Sequence, residues 1–135
     1  MNLKIDGSSL TLDKIEKFIF ENQKVELTSS SKKNILKARK LIDDWVDNGE
    51  VIYGVTTGFG EFANVTISKN NIEKLQKNLI LSHAAGVGED LPLFIVKIIM
   101  LLRLNALAKG NSGIRLKTLE LLIAMINNNI IPVIP

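Results

Sequence analysis

The segment from residue 93 to residue 108 is apolar on almost every side of a helix, and it constrains the fold more than any other part of the chain. Pro92 precedes it and suits the start of a helix, and Gly110 follows it and suits a helix exit. Its apolar residues do not form a single stripe, so the sequence predicts a helix that is buried all round. Such a helix needs neighbours on every side.

A second apolar helix is predicted over about residues 114–128, with apolar side chains on more than one face. Apolar residues make up 46% of the chain, and the mean hydropathy of +0.19 is high for a small soluble protein. A chain of 135 residues can hardly cover both helices completely. The pattern therefore predicts elements from the middle of a larger helical bundle, with neighbours absent from this chain or supplied by other chains.

The beginning of the chain is predicted to hold a small β element. Short apolar runs on either side of Asp6 and Gly7 indicate a β-hairpin, and residues 25–27 form another short candidate strand. A helix is expected to begin near Thr11. The predicted fold class is mainly α-helical, with a small β-hairpin element near the N-terminus.

The most regular helical pattern begins after residue 29. Ser30 or Ser31 is expected to cap a helix that Gly49 closes. Residues 51–60 are punctuated by glycine and rich in β-branched side chains, so they are expected to form a loop.

Composition excludes several classes of function. The chain has no cysteine and one histidine, which excludes thiolate chemistry and argues against a histidine-built metal site. Its net charge of +3 is spread along the sequence, so nucleic-acid binding is not favoured. Lys97, Arg103 and Asn105 interrupt the apolar segment at 91–108, so no membrane span is expected. No signal-peptide pattern is present, and the expected location is cytoplasmic.

Tyr53 is the only tyrosine and opens a loop marked by Gly54, Gly58 and Gly60. A phenol acts as a base near neutral pH only when nearby positive charge or hydrogen bonding stabilises its anion. The glycines permit a mobile loop that carries the phenol over a substrate. A lone tyrosine in an apolar run is more often a core ring, so the residue alone leaves both roles open.

His83 is the only histidine and lies near the end of a helix that Ser68 is predicted to cap. Small residues at 84–86 leave room for a ligand to approach. A neutral imidazole donates at one nitrogen and accepts at the other, which suits another imidazole or a carboxylate, and Ser82 adds a hydroxyl. A core histidine whose hydrogen bonds are satisfied internally is the common alternative.

Several segments together resemble the N-terminal part of histidine ammonia-lyase. The similarity extends in order from about residue 40 to Pro135, roughly the last two-thirds of the chain. The segments that carry it are residues 53–60, 62–64, 78–79, 81–89, 101–110 and 112–115.

The resemblance implies a mostly helical enzyme that removes ammonia from L-histidine to give urocanate. It implies that Tyr53 is the base that takes the β-proton and that His83 contacts the substrate imidazole. Ser82 and His83 stand where phenylalanine-type and tyrosine-type relatives carry other residues, which favours histidine as substrate. The resemblance also implies a homotetramer whose active sites are shared between subunits.

The electrophile implied by the resemblance is a methylidene-imidazolone cofactor, which forms from an internal Ala-Ser-Gly. These 135 residues contain no such tripeptide, so the chain is expected to be a truncated N-terminal piece that is inactive alone. Residues 1–110 are expected to form an N-terminal domain, and residues 111–135 the start of a central helical-bundle domain.

Two other functions stay open. The chain is alternatively part of a related aromatic amino-acid ammonia-lyase or aminomutase, which shares the cofactor class but takes another substrate. In the third interpretation it is a non-catalytic module whose apolar helices bind another protein.

Overall fold

The structure is a computed structural model that describes residues 2–57 and 69–135, with side-chain surroundings given for residues 2–57 and 74–135. These residues form two short strands and five helices, which confirms the predicted mainly α-helical fold with a small β element. In chain order they are β1 (Leu3–Ile5), α1 (Leu12–Phe20), β2 (Val25–Leu27), α2 (Ser29–Asp47), α3 (Lys69–His83), α4 (Leu93–Ala108) and α5 (Leu116–Asn127).

The chain divides into two compact units. The first unit comprises Met1–Lys40 and Gly88–Pro135, and the second comprises Leu41–Val87. Tyr53, Ser82 and His83 all belong to the second unit. The domain division predicted at residue 110 stays a prediction.

The predicted hairpin around Asp6 and Gly7 is wrong, because β1 pairs in parallel with β2. Leu3 lies opposite Val25 and Ile5 lies opposite Leu27. Parallel strands need a crossover connection, and α1 provides it. The Asp6–Gly7 turn therefore leads into a helix instead of reversing the strand.

The Asp6 carboxylate stabilises this turn by accepting hydrogen bonds from the N–H groups of Ser8 and Ser9, each at 2.8 Å. Such a side-chain-to-backbone turn is typical of aspartate. These backbone hydrogen bonds, that of Ser8 first, hold the pKa of Asp6 below its usual value.

The helix ends follow local sequence signals closely. Thr11 caps α1, as expected, because its Oγ1 accepts from the Lys14 N–H at 3.4 Å. The cap of α2 is Thr28 and not Ser30 or Ser31, since Thr28 Oγ1 accepts from the Ser31 N–H at 3.2 Å. The predicted strand at residues 25–27 is confirmed. Ser68, the predicted cap of α3, lies outside the described residues.

The core of the first unit gathers around one face of α4. Val96, Leu101 and Leu104 on that face are completely buried. Around them lie side chains from β1, α1, β2, α2 and α5, namely Leu3, Ile5, Phe18, Val25, Leu27, Ile35, Leu119 and Ile126. Hydrophobic burial of this kind is the main force that stabilises the unit.

Within the described residues α4 is buried on one side only, which agrees with the expectation that this chain cannot cover the helix completely, and its burial all round stays a prediction for a larger bundle. Phe94, Ile99 and Leu102 are 53%, 43% and 46% exposed. The described elements that pack most on α4 are β1, α1 and α5, and its buried residues share one side of the helix. The opposite side therefore presents apolar side chains to solvent. In residues 2–57 and 69–135, no helix is both long and apolar enough to cross a membrane.

Candidate active site

Tyr53 lies on a turn that begins soon after the end of α2. Residues 53–56 form the turn, and the N–H groups of Val55 and Thr56 donate to the Ile52 carbonyl at 3.1 and 3.0 Å. Tyr53 is 62% exposed, so it is not the core ring that the sequence alone leaves open. An exposed phenol on a turn is accessible to a ligand.

Two buried threonine hydroxyls hold this turn in shape. Thr56 Oγ1 donates to the Glu50 carbonyl at 2.6 Å and accepts from the Ile52 N–H at 2.9 Å. Thr57 Oγ1 accepts from the Gly54 N–H at 3.3 Å. Both threonines are almost fully buried, so their hydroxyls satisfy backbone groups away from water.

The sequence pattern does not distinguish either threonine as a functional residue. The available signal is a pair of β-branched hydroxyl residues directly after the Tyr53–Gly54 pair. Of the predicted loop glycines, Gly54 adopts the left-handed conformation with φ +71°, while Gly58 and Gly60 lie outside the described residues. The predicted mobility of the loop stays a prediction.

His83 is the last residue of α3 and is exposed, as is Ser82. His83 Nδ1 lies 2.8 Å from the Leu79 carbonyl oxygen and 3.1 Å from Ser82 Oγ. Ser82 Oγ donates to the same Leu79 carbonyl at 2.8 Å. The histidine is therefore not a core residue, and its hydrogen bonds to the last turn of its own helix orient the ring.

The second unit thus contains an exposed phenol on a threonine-stabilised turn and an exposed imidazole at a helix end. A phenol can exchange a proton, and an imidazole can bind a polar ring or a carboxylate. Both side chains sit on a mainly helical scaffold. Their chemistry is compatible with binding a small polar molecule and exchanging a proton with it.

Comparison with known proteins assigns this scaffold to a family. The sequence profile of aromatic amino acid lyases matches residues 10–135, and the chain belongs to that family. Within it, the chain is similar to the histidine ammonia-lyase of Caldanaerobacter subterraneus subsp. tengcongensis. The two are 52% identical over 131 residues, which are 97% of this chain and 26% of that protein.

Solved structures agree on the fold. The histidine ammonia-lyase of Trypanosoma cruzi matches with a TM-score of 0.87 and 37% identity, over 94% of this chain and 25% of that one. The tyrosine aminomutase of Streptomyces globisporus matches with a TM-score of 0.88 and 33% identity, over 96% of this chain and 24% of that one. The chain spans about a quarter of the length of these relatives, and the fold by itself does not distinguish their reactions.

Proposed function

We propose that this chain is part of a histidine ammonia-lyase, a carbon–nitrogen lyase that removes ammonia from L-histidine to give urocanate. The observation that carries the proposal is the 52% identity with the Caldanaerobacter histidine ammonia-lyase over nearly the whole chain. The exposed Tyr53 and His83 in the second unit support it, because the reaction needs a base and a group that recognises imidazole.

In this proposal Tyr53 takes the proton from the β-carbon of the substrate. Its 62% exposure leaves the ring accessible to a small molecule. The hydrogen bonds of Thr56 and Thr57 to the backbone of the turn support this role, because they stabilise the conformation that carries the phenol. A base that is held in place needs less reorganisation before proton transfer.

His83 binds the substrate side chain in this proposal. Imidazole pairs with imidazole through one donor and one acceptor, which a phenyl ring does not offer. A polar group in a binding site selects strongly against ligands that cannot hydrogen-bond to it. Such a ligand removes water from the group without replacing the lost hydrogen bond, which weakens binding. His83 therefore favours L-histidine over L-phenylalanine.

The reaction also needs an electrophile. In the complete enzyme a methylidene-imidazolone, formed from Ala-Ser-Gly, would make the amino group a better leaving group. These 135 residues contain no Ala-Ser-Gly and so cannot form that group. We therefore assign to this chain only binding and proton transfer, and we expect it to produce no urocanate by itself.

The complete enzyme is proposed to be a cytoplasmic homotetramer with active sites shared between subunits. The uncovered apolar side of α4 supports a need for further helical neighbours, since an exposed apolar face of this kind usually meets another surface. Sedimentation of a complete enzyme would test the oligomeric state.

The test is a chimera in which these 135 residues replace the matching N-terminal quarter of the Caldanaerobacter enzyme. With L-histidine as substrate we expect urocanate, followed by its absorbance. Tyr53→Phe should lower kcat by about 100-fold or more, because it removes the proton acceptor. The unfolding transition of the variant chimera, recorded beside that of the parent chimera, separates a loss of the proton acceptor from a loss of folding.

The runner-up is a related enzyme that acts on another aromatic amino acid, favoured by the structural similarity to the tyrosine aminomutase. The same chimera separates the two, because L-tyrosine and L-phenylalanine can be offered beside L-histidine. Preference for either of them would overturn the histidine assignment. A folded chimera that turns over none of the three would favour a non-catalytic helical module.

A further inference from the structure

The position of His83 Nδ1 determines which ring nitrogen carries the proton. Nδ1 lies 2.8 Å from the Leu79 carbonyl oxygen, which is hydrogen-bond distance. A carbonyl oxygen only accepts, so Nδ1 must be the donor in this pair. In the neutral ring the proton is therefore on Nδ1, and Nε2 carries a lone pair.

The position of Ser82 supports the same assignment. Its hydroxyl has one proton, and Oγ donates that proton to the Leu79 carbonyl at 2.8 Å. Towards His83 Nδ1, 3.1 Å away, the same oxygen can then only accept. Both neighbours of Nδ1 are acceptors, and both stabilise the tautomer with the proton on that nitrogen.

Nε2 is left to the solvent side. His83 is exposed, and no hydrogen bond to Nε2 is formed by the residues that the structure describes. Because the hydrogen bond at one imidazole nitrogen sets the role of the other, the Leu79 carbonyl makes Nε2 an acceptor.

We infer that the Leu79 carbonyl and the Ser82 hydroxyl hold neutral His83 as its Nδ1–H tautomer, so that Nε2 accepts a hydrogen bond from a ligand N–H. Ser82 is then a positioning residue that acts through His83, and not itself a ligand contact. The identity of the ligand as an imidazole rests on the proposed function, whereas the tautomer and the role of Ser82 do not.

The inference narrows the class of ligand. A ring with an N–H donor, such as a neutral imidazole, satisfies Nε2. A phenyl ring or an N-alkylated imidazole without N–H cannot make this hydrogen bond and would displace a water that can make it, which disfavours binding. Recognition therefore depends on one donor hydrogen of the ligand.

The test is the ¹⁵N spectrum of the imidazole, recorded on this chain with its histidine labelled. The chain has one histidine, so a single pair of ring signals belongs to His83. At a pH high enough for the ring to be neutral, we expect Nδ1 to show the chemical shift of a protonated nitrogen and Nε2 that of an unprotonated one. A predominant Nε2–H tautomer, or shifts that correspond to equal populations of the two tautomers, would overturn the inference.

Ser82→Ala and Ser82→Thr form the matched pair of variants. Alanine removes one acceptor from Nδ1–H, and we expect the ratio of Nδ1–H to Nε2–H tautomer to fall by roughly two- to tenfold. Threonine keeps the hydroxyl and should keep the ratio. Helix content from circular dichroism verifies that both variants fold. Equal tautomer ratios in the two variants would show that the Ser82 hydroxyl does not position the His83 ring.

Imidazole and 1-methylimidazole then probe the acceptor. Imidazole brings an N–H donor and should shift the Nε2 signal, whereas 1-methylimidazole has none and should not. Equal shifts, or no shift with either, would contradict the acceptor role. None of these spectra requires turnover, so a failed inference is distinguishable from a failed activity assay on the chimera.

Discussion

The side chain of Asn127 forms two hydrogen bonds with the backbone of Val25, 102 residues earlier in the chain. Its Oδ1 accepts from the Val25 N–H at 2.8 Å, and its Nδ2 donates to the Val25 carbonyl at 3.0 Å. Lys24 and Thr28, on either side of β2, bond to β1 instead. The amide of Asn127 therefore satisfies the outer edge of β2 as a neighbouring strand would, and it ties the end of α5 to the sheet.

Replacing Asn127 by alanine should destabilise the first unit by about 1–3 kcal/mol, because two part-buried backbone groups lose their partners. The control is Asn128→Ala, since the Asn128 side chain bonds to the Ala124 carbonyl within α5 and, among the described residues, to no other element. That change should cost no more than about 0.5 kcal/mol, as is usual for a surface residue. Urea unfolding measures both, and equal losses would mean that the sheet contact contributes little.

Gly7→Ala should be strongly destabilising. Gly7 has φ +87°, and a β-carbon there would lie 2.6 Å from Lys109 Cγ and 2.9 Å from the Lys109 backbone nitrogen. The conformation costs roughly 1–2 kcal/mol for an L residue, and the close approach to α4 adds about 1–3 kcal/mol of overpacking.

Gly49→Ala is the matched control for Gly7. Gly49 has φ +70°, but a β-carbon there meets nothing within 4 Å. It should therefore show the conformational cost alone. Thermal or urea unfolding of the two variants separates the conformational cost from the steric cost. A loss of stability in Gly7→Ala no larger than in Gly49→Ala would show that the turn at Gly7 shifts to relieve the close contact.

Thr56→Val removes a buried hydroxyl at nearly constant shape. The Glu50 carbonyl and the Ile52 N–H lose their partner, which should cost about 1–3 kcal/mol locally. Hydrogen exchange at the Ile52 amide should accelerate by roughly 5- to 150-fold if that free energy appears as local opening. Thr118→Val, at an exposed position of α5, is the control and should leave this amide unaffected.

The lowered pKa of Asp6 predicts how the free energy of unfolding of the first unit changes in acid. Hydrogen bonds from Ser8 and Ser9 lower its pKa in the folded chain, so the unfolded chain binds the proton more readily. The stabilisation is complete above the unfolded pKa of about 3.9, and is lost as the pH falls through the lower folded pKa.

Asp6→Asn retains an oxygen that can accept from Ser8 and Ser9 but removes the titration. Its stability should therefore decline less steeply than that of the parent chain below about pH 4. Unfolding curves recorded from pH 5 down to pH 2 test this. Parallel pH profiles for the two proteins would contradict the assignment.

Local sequence signals were sufficient for much of the secondary structure. Thr11, Pro92 and Gly110 mark helix ends where they were expected, because caps and helical hydrogen bonds involve residues only a few positions apart. The α2 cap was misplaced by two or three residues, since Thr28 and the two serines offer the same hydroxyl chemistry.

The family followed from the sequence as well, because it depends on residue identities in ordered segments and not on contacts. The same residue identities indicate Tyr53, Ser82 and His83 as candidate site residues. The sequence did not predict the exposure of these residues or the hydrogen bonds of the two threonine hydroxyls to the Tyr53 turn. Such hydrogen bonds depend on where the fold places backbone groups that lack a backbone partner.

The sequence by itself determined the helices, most of their ends and membership of the aromatic amino acid lyase family. Only the tertiary structure decided that β1 pairs in parallel with β2, that Asn127 completes the edge of that sheet and that α4 buries one side. The physical reason is distance along the chain. A helix is built from hydrogen bonds between residues close in the sequence. Strand pairing and burial depend on partners up to about a hundred residues away, and no local sequence pattern specifies those partners.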